Sequence, residues 1–199
     1  MTQTLRDGRR LILASTSPFR SELLKRLCLP FETRPPNVDE TPFANEQAQT
    51  LVRRLAAAKA GAIAGQTTKS LVIGSDQVAV LNGQVIGKPG CYERAREQLR
   101  QASEKHIAFY TGLALINSDS KRCQVEVVTF HVHFRKLDNS QIERYLHREQ
   151  PYHCAGSFKA EGLGIALFER LEGDDPSSLI GLPLIRLTRM LEAEGVAVL

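Results

Sequence analysis

Two long runs near the middle of the chain restrict its fold more than any other feature. HIAFYTGLALINS (106–118) and CQVEVVTFHVHF (123–134) are rich in β-branched and aromatic residues and are separated by a polar stretch holding Asp119-Ser120. The pattern predicts a long antiparallel hairpin, which needs further strands or helices to be stable. SLVIGSDQVAVL (70–81) is a third such run, and Asn82-Gly83 behind it signals a tight hairpin into QVIGK. Shorter β pieces are expected at 10–15, at 31–34 and at the end of the glycine-rich AGSFKAEGLGIALF.

Helical periodicity appears at 18–28, 45–64, 92–103, about 138–149 and about 183–194. Ser17 followed by Pro18 reads as an N-cap and a first helical position, where a missing N–H costs nothing. Pro30, Pro35, Pro36 and Pro42 keep the segment between the first two helices largely a loop. Hairpins mixed with helices predict an α/β (α+β) fold with a mixed twisted sheet and flanking helices, not a doubly wound parallel sheet. No linker divides the chain, so residues 1–199 read as one domain.

Composition narrows the function classes. The chain has 199 residues, 42% of them apolar, enough for a sizeable core. No apolar run approaches the ~18 residues of a membrane helix. The opening MTQTLRDGRR lacks the apolar stretch of a signal peptide, so a cytoplasmic protein without membrane contact is expected. Cys28, Cys91, Cys123 and Cys154 form no CxxC and read as reduced thiols. A net charge of +4 suits an anionic small molecule and falls short of a nucleic-acid-binding face.

The stretch LILASTSPFR runs from an apolar strand into hydroxyls and then into a helix with Arg20 in its first turn. A helix start with exposed N–H groups, the hydroxyls of Ser15 and Ser17 and a cation suits a phosphate, although simple capping explains the hydroxyls equally well. In NVDETP, Glu40 sits on a proline-stiffened loop, where a carboxylate can meet a hard cation. Asp76 stands charged inside an apolar strand, and such a residue rarely faces a core unpaired. Gly74 and Ser75 beside it are expected to kink the backbone and present the carboxylate at a strand end or bulge. Lys59 lies on the alanine-rich side of a helix, and Lys88 ends the strand of VIGK. Three cations and two carboxylates together suit a polyphosphate with a bridging metal. His131 and His133 share a strand face, but with no third ligand at spacing they read as lining it. His153-Cys154 is given no catalytic role.

In this order, STSPFR, NVDETP, AAAKA, IGSDQV, GKP, HCAGSFKAEGLG and GLPL resemble the Maf family of nucleoside triphosphate pyrophosphatases over nearly the whole chain. The resemblance implies an inosine-triphosphatase-like fold with two lobes around a cleft, and metal-dependent hydrolysis between the α- and β-phosphates. It implies Asp76 as proton acceptor, Arg20, Lys59, Lys88 and Ser15 as phosphate-binding residues, and Glu40 with Asp76 on the side of a Mg²⁺ or Mn²⁺ ion. A homodimer is also what the family implies.

Three selectivity positions hold Phe19, Gln77 and Glu161, which resembles the YceF branch, the 7-methyl-GTP pyrophosphatases. A cationic 7-methylguanine stacks well on an aromatic ring, and a carboxylate accepts from its N–H edge while countering its charge. The alternatives are a broader Maf-type enzyme acting on dTTP, UTP or other modified nucleotides, and a non-catalytic nucleotide-binding regulator of cell division. Gly90-Cys91 replaces the family's usual Leu-Thr, which removes a hydroxyl cap from the next helix.

Overall fold

The computed structural model describes residues 4–199, and its centre is one sheet of seven strands. The strands are β1 (Arg10–Ala14), β2 (Glu32–Arg34), β3 (Ser70–Leu81), β4 (Gln84–Ile86), β5 (His106–Asn117), β6 (Cys123–Phe134) and β7 (Phe168–Glu172). Their order is β2-β1-β3-β5-β6-β7, with the short β4 pairing to β3. β1 runs parallel to both β2 and β3, and every other pairing is antiparallel. The mixed sheet is the expected one. Asn82 and Gly83 both take positive φ, 51° and 79°, the backbone that an Asn-Gly hairpin turn requires.

Among the described residues six α-helices flank the sheet: α1 (Pro18–Lys25), α2 (Ala48–Ala64), α3 (Tyr92–Ala102), α4 (Asn139–Glu149), α5 (Pro176–Ile180) and α6 (Leu184–Ala193). Ser17 caps α1 as its sequence indicates, accepting from the Arg20 N–H at 3.4 Å. α2 begins three residues later than its periodicity suggests, because Asn45 turns left-handed at φ 59°. Cys91 caps α3 without a side-chain hydrogen bond, in line with the lost hydroxyl. α5 is not legible from apolar periodicity, being a single short turn, but Asp175 and Pro176 are its cap and first-position signals. The strand expected at the end of the glycine-rich segment starts only at Phe168, after 3₁₀ turns at 155–157 and 163–167.

The long strands β3 and β5 serve two lobes at once. In one half, Leu71, Ile73, Leu113 and Leu115 pack with Leu23 of α1 and Leu187 of α6, while Val72 and Ala114 on the opposite face meet Ala56 and Ala60 of α2. In the other half, Ala79, Leu81, Ile107 and Phe109 pack with Leu99 of α3 and Leu146 of α4. Asp76 and Gln77 stand where the two clusters meet, and the cleft opens there.

Period-2 alternation decides which way Asp76 faces. It is in phase with Val72 and Gly74, so it lies on the face that α2 covers. The expected kink is absent: β3 pairs with β5 residue for residue from Leu71 to Leu81, with Asp76 opposite Gly112. The glycine has another purpose. A Cβ on Gly74 would stand 2.1 Å from the Ala56 carbonyl, and one on Gly112 would stand 2.1 Å from the Val52 carbonyl. Both glycines let α2 lie almost on the sheet, and that contact brings Lys59 down to Asp76.

Candidate active site

A cleft of about 1040 Å³ lies between the lobes, and Ser15, Phe19, Arg20, Glu40, Lys59, Asp76, Gln77, Lys88 and Glu161 all line it. These nine residues thus come to one place, from six separate segments of the chain.

At its base is a charged triad. Lys59 Nζ donates to Asp76 Oδ1 at 2.6 Å and lies 2.7 Å from Glu40 Oε1. Lys59 and Asp76 keep only 7% and 10% of their side-chain surface exposed, whereas Glu40 keeps 59%. Two buried opposite charges fit because each offsets the other's desolvation, and removing either would strand its partner. Asp76 Oδ2 has no hydrogen-bond partner among the described residues, so one carboxylate oxygen is held and the other is available.

Arg20 is half-buried beside this triad. Its Nε donates to the Gly181 carbonyl at 2.9 Å, and the Ser75 hydroxyl lies 2.9 Å from the same oxygen. Burial lowers the guanidinium's pKa from its ordinary value, and the negative charges of Asp76 and Glu40 act against that. The turn after β1 is placed by register: Ala14 pairs with Gly74, so Ser15 leaves the sheet next to Ser75 and Asp76. The Ser15 hydroxyl accepts from the Ser17 N–H at 3.1 Å, which shapes the turn and leaves its own proton to donate. Lys88 is exposed at the cleft and forms no ion pair among the described residues.

Of the three expected selectivity residues, Phe19 is 38% exposed and Glu161 is exposed. Gln77 is partly committed elsewhere: its amide nitrogen reaches Ser178 O at 2.7 Å and Thr111 Oγ1 at 3.0 Å, leaving only the amide oxygen for a ligand. His153 and Cys154, given no catalytic role from sequence, also line the cleft, and so does Lys159, which the sequence did not single out. All three belong to HCAGSFKAEGLG, and a lysine in an irregular segment signals no site by itself. Burial pushes the Cys154 thiol up, with the Glu161 charge adding to it and Lys159 opposing.

The donor set fits a hard divalent cation. Among the described residues no group of three or more His, Cys, Asp or Glu is placed to hold a metal. The cleft's two carboxylates, Glu40 and Asp76, would be the protein's share, and Mg²⁺ is commonly held by one or two carboxylates plus substrate phosphates. The histidine pair gains a third member that sequence spacing hid, since pairing sets His106 opposite His133. Their rings lie 5.3–6.4 Å apart without converging on a ligand position.

The chain is 61% identical over 188 residues to a Pseudomonas aeruginosa protein named 7-methyl-GTP pyrophosphatase, covering 94% of this chain and 98% of that protein. It is 56% identical over 189 residues to a Nitrosococcus oceani protein of the same name, covering 95% of each. The Ham1 protein of Staphylococcus aureus shares the fold at a TM-score of 0.52 and 13% identity, over 94% of this chain and all of that one. The model of the Maf-like protein family matches residues 10–194, which takes in all nine cleft residues named from sequence. By that match and by these relatives, the chain belongs to the Maf-like protein family.

Proposed function

We propose that the protein is a nucleoside triphosphate pyrophosphatase that hydrolyses 7-methyl-GTP to 7-methyl-GMP and diphosphate. The observation that carries this reading is the Lys59-bridged pair of carboxylates at the base of a cleft that also holds Arg20 and Lys88. The names of the relatives support the substrate.

Asp76 takes a proton from a water molecule whose oxygen attacks the α-phosphorus. As the new P–O bond forms, the bond from that phosphorus to the bridging oxygen breaks, and diphosphate leaves with the electron pair. Lys59 holds one Asp76 oxygen, so the carboxylate is oriented before substrate arrives. Arg20, Lys88 and Ser15 bind the phosphate chain, with Arg20 fixed in place by Gly181. Glu40 and Asp76 would hold Mg²⁺ or Mn²⁺, which when bound polarises the phosphate and screens its charge.

Elsewhere in the cleft lining, Phe19 offers a stacking face to a cationic purine and Glu161 a carboxylate to its N–H edge. The amide oxygen of Gln77 is the polar atom that this residue can still offer. No described helix is long and apolar enough to cross a membrane, and all four cysteines are free, which supports a cytoplasmic setting for this activity.

The test is diphosphate release from 7-methyl-GTP, GTP, dTTP and UTP, with Mg²⁺ or Mn²⁺ and with chelator. The reading expects metal-dependent turnover with the highest kcat/KM on 7-methyl-GTP. Preference for dTTP or UTP would replace it with the broader pyrophosphatase, and binding without turnover would leave a nucleotide-binding regulator.

A further inference from the structure

We propose that Glu149 is a positioning residue for base selection, which holds the Lys159 ammonium so that it does not pair with Glu161. The proposal rests on the role given to Glu161 above and adds a residue outside the cleft lining.

Glu149 closes α4, and its interactions run into the loop that carries Glu161. Lys159 Nζ donates to the Glu149 backbone carbonyl at 3.0 Å and to its Oε1 at 3.1 Å. The other carboxylate oxygen, Oε2, accepts from the Leu163 N–H at 2.9 Å. A Cβ on Gly162 would stand 2.9 Å from that same oxygen, so the glycine makes room for the acid. One helical turn earlier, the Tyr145 hydroxyl accepts from the Lys159 backbone N–H at 3.1 Å. The chain is therefore tied to α4 on both sides of Glu161. The Glu149 carboxyl is held below its usual range, by the Leu163 N–H first and by Lys159 as well.

Lys159 and Glu161 belong to one wall. Their charges act in opposite directions on the same Cys154 thiol. Glu161 itself is exposed and carries no ion pair among the described residues. A lysine ammonium rides on a flexible four-carbon stem and can turn its donors from one carboxylate to another within reach. Glu161 stands two residues along the same cleft-lining loop and is itself unpaired among the described residues, so with Glu149 neutralised it is the carboxylate that the proposal offers to Lys159. A Lys159–Glu161 pair would cancel the negative charge that distinguishes 7-methylguanine from neutral guanine.

Three proteins test this: Glu149→Gln, Lys159→Met and the double variant, each assayed for kcat/KM on 7-methyl-GTP and on GTP with melting temperature recorded. Glutamine keeps an acceptor for the Leu163 N–H but lacks the charge that holds the lysine. In Glu149→Gln the preference for 7-methyl-GTP should fall roughly fivefold, the scale of a partly exposed ion pair. In Lys159→Met no ammonium can reach Glu161, so the double variant should show the preference of Lys159→Met and not the loss of Glu149→Gln, an outcome that a purely structural role for Glu149 does not produce. An unchanged preference in Glu149→Gln overturns the proposal, and so does a loss that Lys159→Met fails to rescue. If the glutamine variant does not fold, Glu149→Ala, which also lacks the charge, carries the same test with and without Lys159→Met. Absence of any preference in the wild type would instead count against the proposed substrate, whatever the variants do.

Discussion

On one side of the cleft, Lys59 and Asp76 come from a helix and a strand pressed together across Gly74 and Gly112, and their charged ends meet at 2.6 Å. On the other side, Lys159 and Glu161 stand on an irregular loop whose ties are side-chain hydrogen bonds to the end of α4. Backbone packed on backbone has few alternatives, whereas side chains on a loop can exchange partners. The first wall suits chemistry common to every nucleoside triphosphate. The second suits a choice among bases, since it can differ between relatives without disturbing the sheet.

The sharpest break in this comparison is Asp76→Asn, which keeps the shape of the rigid wall and removes the carboxylate proposed as base. We expect kcat to fall on the order of 10²–10⁴-fold, the usual contribution of general-base catalysis, with circular dichroism unchanged. Retention of more than a tenth of wild-type kcat would remove Asp76 from that role.

Next in size is the contrast between two glycines. Gly74→Ala drives a methyl group into the backbone of α2 and should cost about 1–3 kcal/mol in urea unfolding, with lower activity as Lys59 is displaced. Gly162→Ala meets only the end of the Glu149 side chain and should cost less. Equal costs would mean that the two walls are equally rigid.

Phe19→Ala should act on selection alone, lowering the preference for 7-methyl-GTP over GTP by the roughly 0.5–2 kcal/mol of a cation–π contact.

The smallest effect is expected outside both walls, at Glu46. Two hydrogen bonds from Arg54 hold its carboxyl at about 2, below the ordinary 4.5. A depressed carboxyl stabilises the fold above pH 4.5 and loses that contribution as the pH falls towards 2. The melting-temperature gap between wild type and Glu46→Gln should therefore be widest near neutrality and close in acid. A gap independent of pH would contradict this.

Much of this was legible in the sequence because charge in an apolar strand has few explanations. Asp76 stood out for that reason, and Ser17-Pro18 and Asn82-Gly83 each name a local geometry. The sense of Gly74 was not legible. A glycine in a strand reads as a bend until the helix above it is known, and the contact comes from a segment some fifteen residues away. Lys159 and Glu149 were missed because their partnership joins the end of a helix to an aperiodic loop, with no spacing to reveal it. His106 was missed similarly, since strand register and not sequence distance sets it beside His133.

The most direct test of divided labour is the ratio of kcat/KM on 7-methyl-GTP to that on GTP, measured for Asp76→Asn and Glu161→Gln side by side. Asp76→Asn should depress both substrates by the same factor and leave the ratio intact, while Glu161→Gln should lower the ratio by depressing 7-methyl-GTP more than GTP. A ratio that moves in Asp76→Asn, or a uniform loss in Glu161→Gln, would show that the two walls do not divide chemistry from selection.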